Sequence, residues 1–533
     1  MRMLLGAALL VAVAGCSKGG SASKPPEAPL VGGLGKRIVS GPVTDLRLSK
    51  DGAWATILHN PKRPAVEGVS PRMALGELGL VPLGGGAVRF VGQGVSNRPG
   101  SVLYSPDSKW LFFVEGYNAA NDSGTLRTLS LTPGAEPELR GKAVSFVTVS
   151  PVGDAFAFVD AGVLRVARLE AGSTARNVAT DVSTAQFTPD GKWLVVQRRA
   201  AAGGGVLLSP VEGVRAPVRL GENVRDWSIA PDGRRVALAL THPKNPDLSE
   251  LSVATVPEGK VTAVGPVVTL AAGRARAFAF SADGAWLGYV ERGKGGGSTG
   301  NLIVGAVGGR GAVIAERVGQ FWFAPDSKAV ASLANYDEKR NWGRLVYATL
   351  PEGKPIVLGA RVSTTLWSED NRFLAFNLNV FQPLPSVDLW LYARGKSEGN
   401  RIMTNVYGYD FAPGGTLLFR AECTRHSSNP PEARACNLET LDPTQPDAHP
   451  VPILEGIYGY HSSADGNRVL FTYARTDSET FDVGLYDLKT QVRKTIEERI
   501  VLPALFADPA GTRVVFLVSQ GDRSGLYVYD QPR

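Results

Sequence analysis

The chain has 533 residues, of which 44% are hydrophobic and 20% charged, with 62 glycines and 36 prolines. That apolar share supports a sizeable core and excludes a wholly disordered chain, while the modest charge disfavours a long coiled coil. The net charge of +7 is dispersed over pairs such as Arg198-Arg199, Arg234-Arg235 and Lys339-Arg340. Nucleic-acid binding needs a concentrated basic face, so no nucleic-acid partner is expected.

Residues 1–16 read MRMLLGAALLVAVAGC. Arg2 gives a positive start, Leu4 to Val13 an apolar stretch, and Ala14 and Gly15 lead into Cys16. The stretch is too short for a hydrocarbon core of about 30 Å, so it reads as a cleaved export signal. The Val-Ala-Gly-Cys ending resembles the lipobox of bacterial lipoproteins; an ordinary signal peptide that happens to contain a cysteine is the alternative. The resemblance implies cleavage after residue 15, acylation of Cys16, and, with Ser17 next, sorting to the outer membrane facing the periplasm. Residues 16–35 form a polar Gly/Ser/Lys/Pro tether. The membrane is thus expected as a partner through lipid alone.

From residue 49 onward one four-residue signature recurs eleven times. The copies begin at Ser49, Ser105, Ser150, Thr188, Ala230, Ser281, Ala324, Ser368, Ala412, Ser463 and Asp508, as in Thr188-Pro-Asp-Gly. Their spacing, between 38 and 56 residues, averages about 46, the period of a four-stranded propeller blade. Proline presets its own φ, aspartate bonds the following backbone, and glycine, serine or asparagine accepts the tight bend.

The flanks alternate. Before the turns come pairs such as Trp227 and Ile229, or Phe321 and Phe323, with polar residues between them. After the turns run second strands such as Trp110–Val114, then third strands such as Leu389–Tyr392 and fourth strands such as Ile356–Leu358. Period-two alternation predicts strands throughout, an all-β fold. The Ser-Pro-Asp-Gly turn followed by an aromatic-rich strand resembles the TolB-type β-propeller repeat, a relative of the WD repeat, over about residues 36–533. No α/β domain precedes the repeats as in TolB, so its Tol–Pal role is not carried over. In peptidases and hydrolases that use this repeat, catalysis belongs to a separate domain with no counterpart here.

About eleven four-stranded blades exceed the usual four to eight per ring, so two packed propellers of five and six blades are expected. The division is placed at 36–272 and 273–533. The last unit stops after its third strand, Leu526–Tyr529, whereas Lys36–Val39 sits where a fourth strand would be. Pairing of the amino- and carboxy-terminal strands would close the sheet.

Besides Cys16, the chain holds Cys423 and Cys436. An even pair in an oxidising compartment predicts a disulfide; a zinc set with His426 and His449 is the alternative, on irregular spacing. Gly296-Gly-Ser298-Thr-Gly300 matches a nucleophile-elbow string but lies in a glycine-rich hairpin with no helix to follow. No catalytic, cofactor or metal motif is read, and the repeated aspartates are assigned to their turns.

The functional candidates enter each innermost strand four or five places before the turn: Thr44, Asp45, Arg225, Asp226, Arg276, Gln320, Thr364, Tyr407 and Tyr458. They would line a channel mouth, as ligand contacts or as the solvated wall of a water-filled channel. The expected function is a binding or scaffold module for a protein, peptide or envelope component. The alternative is a propeller hydrolase or lyase, which would cluster His, Glu or Asp at equivalent positions.

Overall fold

The computed structural model describes residues 33–531 except 65–69, 71, 214–215, 243–244, 258–267, 293–298, 310, 382–385, 425–433, 446, 475–479 and 520. Cys16, the lipobox, most of the tether, His426 and the Gly296–Ser298 string therefore lie outside the described residues. The fold is all β, with two 3₁₀ turns, Ala200–Ala202 and Gly521–Arg523, and no α-helix among the described residues.

The unit of construction is a four-stranded antiparallel meander. The first comprises Val43–Leu48, Trp54–Lys62, Leu75–Pro82 and Arg89–Ser96, hydrogen-bonded in that order. Two others are likewise discrete, Val182–Gly221 and Gln320–Val362. Elsewhere one long strand ends one meander and begins the next. Glu138–Val149 pairs first with Ser123–Ser130 and then with Ala155–Asp160. Val268–Phe280 does the same between Asn245–Thr255 and Trp286–Arg292, and it runs across the division expected at 272/273.

The contacts define two compact units. One holds Val39–Phe381 and Asp388–Ile402; the other holds Met403–Arg533, Gln382–Val387 and the chain before Val39, each as far as its residues are described. The strand Lys36–Ser40, whose first three residues belong to the second unit, is hydrogen-bonded beside Gly525–Asp530, as the missing fourth strand requires. Leu34 N–H donates to the Ile496 carbonyl at 3.0 Å, so the chain is engaged ahead of that strand.

The core lies between meanders. Phe112, Leu126, Phe156 and Phe158 form one cluster across the second and third; Leu470, Val483, Val514 and Phe516 form another across the last two. Central strands are buried on both faces, as in Ala155–Asp160. Each such large apolar side chain contributes roughly 1.5–3 kcal/mol by leaving water.

The turn chemistry follows from the signature. The Ser281 hydroxyl donates to Asp283 Oδ1 at 2.5 Å, and that oxygen accepts the Ala285 N–H at 2.9 Å. The Trp286 N–H donates back to Ser281 Oγ at 2.9 Å. Ser49, Ser105, Thr188, Ser368 and Ser463 repeat the hydroxyl–aspartate bond at 2.6–2.7 Å. The fourth residue is left-handed, with φ of 71° at Gly284 and 59° at Ser108, which favours glycine. Successive turns also touch: Asp51 N–H donates to Ser108 Oγ at 3.2 Å, and Asp283 N–H to Ser327 Oγ at 2.9 Å.

Candidate binding sites at the strand entries

Seven residues before the turn, the chain adopts a left-handed conformation at Asp181, Asn223, Arg317, Arg361, Asn405 and Gly456. The next residue is buried and apolar: Val182, Val224, Val318, Val362, Val406 and Ile457. This bulge turns the chain from an outer strand into the next inner one and sets the direction of the residues after it. Sequence reading of the turn alone did not reveal it.

In the first repeat, Asp45 is itself left-handed at φ 55° and pairs with Arg47 at 2.9 Å. Burial raises the Asp45 carboxyl, and the Arg47 charge and hydrogen bonds oppose the rise. Arg47 then donates to the carbonyl of Val102 at 2.7 Å and to those of Asn97 and Arg98 at 3.3 Å. Asp45 and Arg47 together therefore hold the entry segment of the second repeat. Thr44 is half-buried beside them.

That segment walls a cavity of about 190 Å³ lined by Arg98–Ser101, Val114, Tyr117, Asp122 and Val144–Val147. Ser101, Ser145 and Phe146 occupy the expected register, four or five places before their turns, in two repeats from which no candidate was drawn. The mouth carries a bonded polar triad. Arg98 pairs with Asp122, Arg98 Nη1 donates to the Tyr117 hydroxyl at 3.3 Å, and that hydroxyl donates to Asp122 Oδ1 at 2.5 Å. The Arg98 guanidinium also lies 6.0 Å from the Tyr117 ring centroid. The apolar part of the lining is Val114, Val144, Phe146 and Val147.

Tyr117 stands seven residues into its strand and Asp122 five further on. The seventh repeat places Tyr336 and Asn341 identically, and the Gln320 amide donates to the Tyr336 hydroxyl at 2.7 Å; that hydroxyl donates to Asn341. Gln320 is thus a candidate engaged with its own hairpin. Arg225 and Asp226 are exposed, and Asp226 Oδ1 accepts the Trp227 N–H at 2.8 Å. Thr364 is exposed, and its N–H donates to Asn377 Oδ1 at 2.8 Å. Arg276 lies in Val268–Phe280, with its side chain outside the described residues.

In the other unit, the parallel sequences Val406-Tyr-Gly-Tyr409 and Ile457-Tyr-Gly-Tyr460 enter the ninth and tenth repeats. Tyr407 accepts a hydrogen bond from Arg434 Nη1 at 3.1 Å, with the guanidinium 5.3 Å from its ring centroid. Tyr458 packs on Phe481 at 5.7 Å. Arg420, on the strand Leu417–Thr424 that pairs with the Tyr407 strand, donates to the Tyr458 carbonyl at 2.7 Å. The disulfide Cys423–Cys436 joins adjacent strands of the same repeat. It consumes both thiolates of the zinc alternative. Among the described residues no group of three or more His, Cys, Asp or Glu could hold a metal ion.

No family model matches the chain, and no curated protein matches it. Solved structures do. A eukaryotic initiation factor is 15% identical over 73% of this chain and 97% of its own, with a TM-score of 0.40. Sqt1 from Chaetomium thermophilum is 10% identical over 64% of this chain and 97% of its own, at 0.34. The β-propeller domain of Cps50 (Swd1) from Myceliophteria thermophila is 14% identical over 52% of this chain and 93% of its own, at 0.28.

Proposed function

We propose that the chain is a lipid-anchored β-propeller protein of the bacterial cell envelope that binds a protein or peptide through the entries of its inner strands. The meanders are its blades, eleven when each long shared strand is counted in both neighbours and Lys36–Ser40 completes the last. Eleven exceeds the four to eight blades of a usual ring, so the proposal divides them between two rings. Cys16 supplies the anchor on the outer membrane, with the propeller facing the periplasm.

The observation that carries the binding reading is the cavity at Arg98, Tyr117 and Asp122. It combines apolar side chains with a polar triad, the layout of a small recognition pocket. Its volume suits one apolar side chain of a ligand, and the Arg98–Tyr117 pair is of the type that dominates binding energy at interfaces. Its acid is engaged with Arg98 and Tyr117, which supports docking over acid–base chemistry.

The test compares envelope extracts passed over immobilised wild-type protein and over Tyr117→Ala, with melting temperatures matched. A component retained by the wild type and lost from the variant supports the reading. Identical retention by both, or none above an unrelated control, refutes it.

A further inference from the structure

We infer that Arg420, between the entries of the ninth and tenth repeats, is an anion-binding site for a carboxylate or phosphate group of a ligand. The inference does not depend on the Arg98 cavity, which belongs to other repeats.

Arg420 lies directly across from Gly408 in the strand pairing. A Cβ at Gly408 would stand 3.5 Å from Arg420 Nη2, in ordinary contact, so the guanidinium lies over the Gly408 backbone. The side chain is half-buried, and burial lowers its pKa, opposed by the neighbouring Tyr460. Among the described residues its one hydrogen bond is from Nη1 to the Tyr458 carbonyl. No carboxylate among the described residues pairs with it. Asp410, two places beyond Gly408, exerts its charge on Tyr460 and His461.

Equivalent positions in other repeats separate a structural need from a surplus. In the fourth repeat the same place, across from Thr184, is Gln197. Its amide donates to the Val224 carbonyl in the next repeat's entry at 3.0 Å, and its oxygen accepts the Trp227 indole N–H at 3.0 Å. A neutral side chain therefore suffices to clip one repeat to the next. In the tenth repeat the place is Thr472, across from Gly459, and the sheet pairs alike. Arg420 brings a fixed positive charge and four N–H donors that the clip does not use.

A guanidinium with unused donors and reduced hydration recognises oxyanions through paired, charge-assisted hydrogen bonds. Tyr407, next to Gly408 in the sequence, carries a second guanidinium, that of Arg434, over its ring. Both a carboxylate and a phosphate fit this chemistry.

The experiment titrates the full-length protein with inorganic phosphate and, separately, with glutarate at low ionic strength, reading heat and melting temperature. Arg420→Gln is the variant of choice, because Gln197 shows that glutamine keeps the clip; Arg420→Lys keeps the charge without the fork. The expected result is saturable binding of one probe by the wild type, weakened about tenfold or more by Arg420→Gln and less by Arg420→Lys. The responding probe tells phosphate from carboxylate. Equal affinity in Arg420→Gln, or no saturable response to either probe in the wild type, overturns the inference.

Discussion

Gly33 rests against the buried carboxylate of Glu497, so closely that a Cβ there would collide with it. Glu497 is in turn ion-paired with Arg523. Gly35 is as tightly seated, since its Cβ would stand 2.5 Å from Phe516 Cζ. The chain leaving the tether is therefore built into the last repeat through glycines that allow close approach.

Removing residues 17–32 should leave the melting temperature unchanged, whereas removing 17–42 deletes the strand beside Gly525–Asp530. The loss of that ladder and its buried contacts should cost several kcal/mol of a stability typically about 5–15 kcal/mol. The freed edge should also promote aggregation. Thermal melts and light scattering on the two truncations check this; equal behaviour would remove the role assigned to Lys36–Ser40.

The turn aspartates should make stability fall in acid. Burial raises the carboxyls of Asp107, Asp283, Asp370 and Asp465, but serine hydroxyls and backbone N–H donors outweigh it and hold them below the ordinary range. Their contribution is complete above the unfolded pKa of about 3.9 and disappears as pH falls through the lower folded values. Replacing all four by asparagine keeps an acceptor and removes the charge. Melting temperature plotted from neutral pH down to about pH 2 should then flatten; an unchanged slope would contradict the assignment.

Arg47→Ala should have the opposite pH signature. Asp45 is already raised by burial, and losing Arg47 raises it further. An acid with a raised folded pKa favours folding below its unfolded pKa and opposes it as pH rises through the folded value. The variant should lose about 1–3 kcal/mol near neutrality, from the stranded carboxylate and the freed Val102 carbonyl. The deficit should shrink in acid, and denaturant melts at pH 4 and pH 8 decide.

The Cys423–Cys436 bridge links residues 13 positions apart in the chain. In the chain-entropy view that is about 3 kcal/mol, and less where the hairpin is already held by its ladder. Cys423→Ser with Cys436→Ser should lower stability by up to that amount while leaving the fold intact. Thiol labelling of protein purified from the periplasm should find neither cysteine free.

For the anchor, Cys16→Ala should release the protein from salt-washed membranes or leave its signal uncleaved, because acylation there is the proposed attachment. Equal membrane recovery of the variant would count against the lipid.

What the sequence determined by itself is local or repeated. Ser281, Asp283 and Trp286 satisfy one another within six residues, so the turn could be read from its letters, and eleven copies in register implied meanders. The missing fourth strand after Leu526–Tyr529 pointed to Lys36–Val39, and the lone pair Cys423 and Cys436 to each other. Tertiary structure alone decided which entries become sites. The Arg98 triad joins a strand entry to a hairpin, and the cavity lining at Val144–Val147 comes from the next repeat. Likewise, only the strand pairing shows that Arg420, Gln197 and Thr472 hold equivalent places, and so that the arginine's charge exceeds what the place requires. Such sites depend on the register between strands and the packing of one repeat on the next, and neither is written in the spacing of residues along the chain.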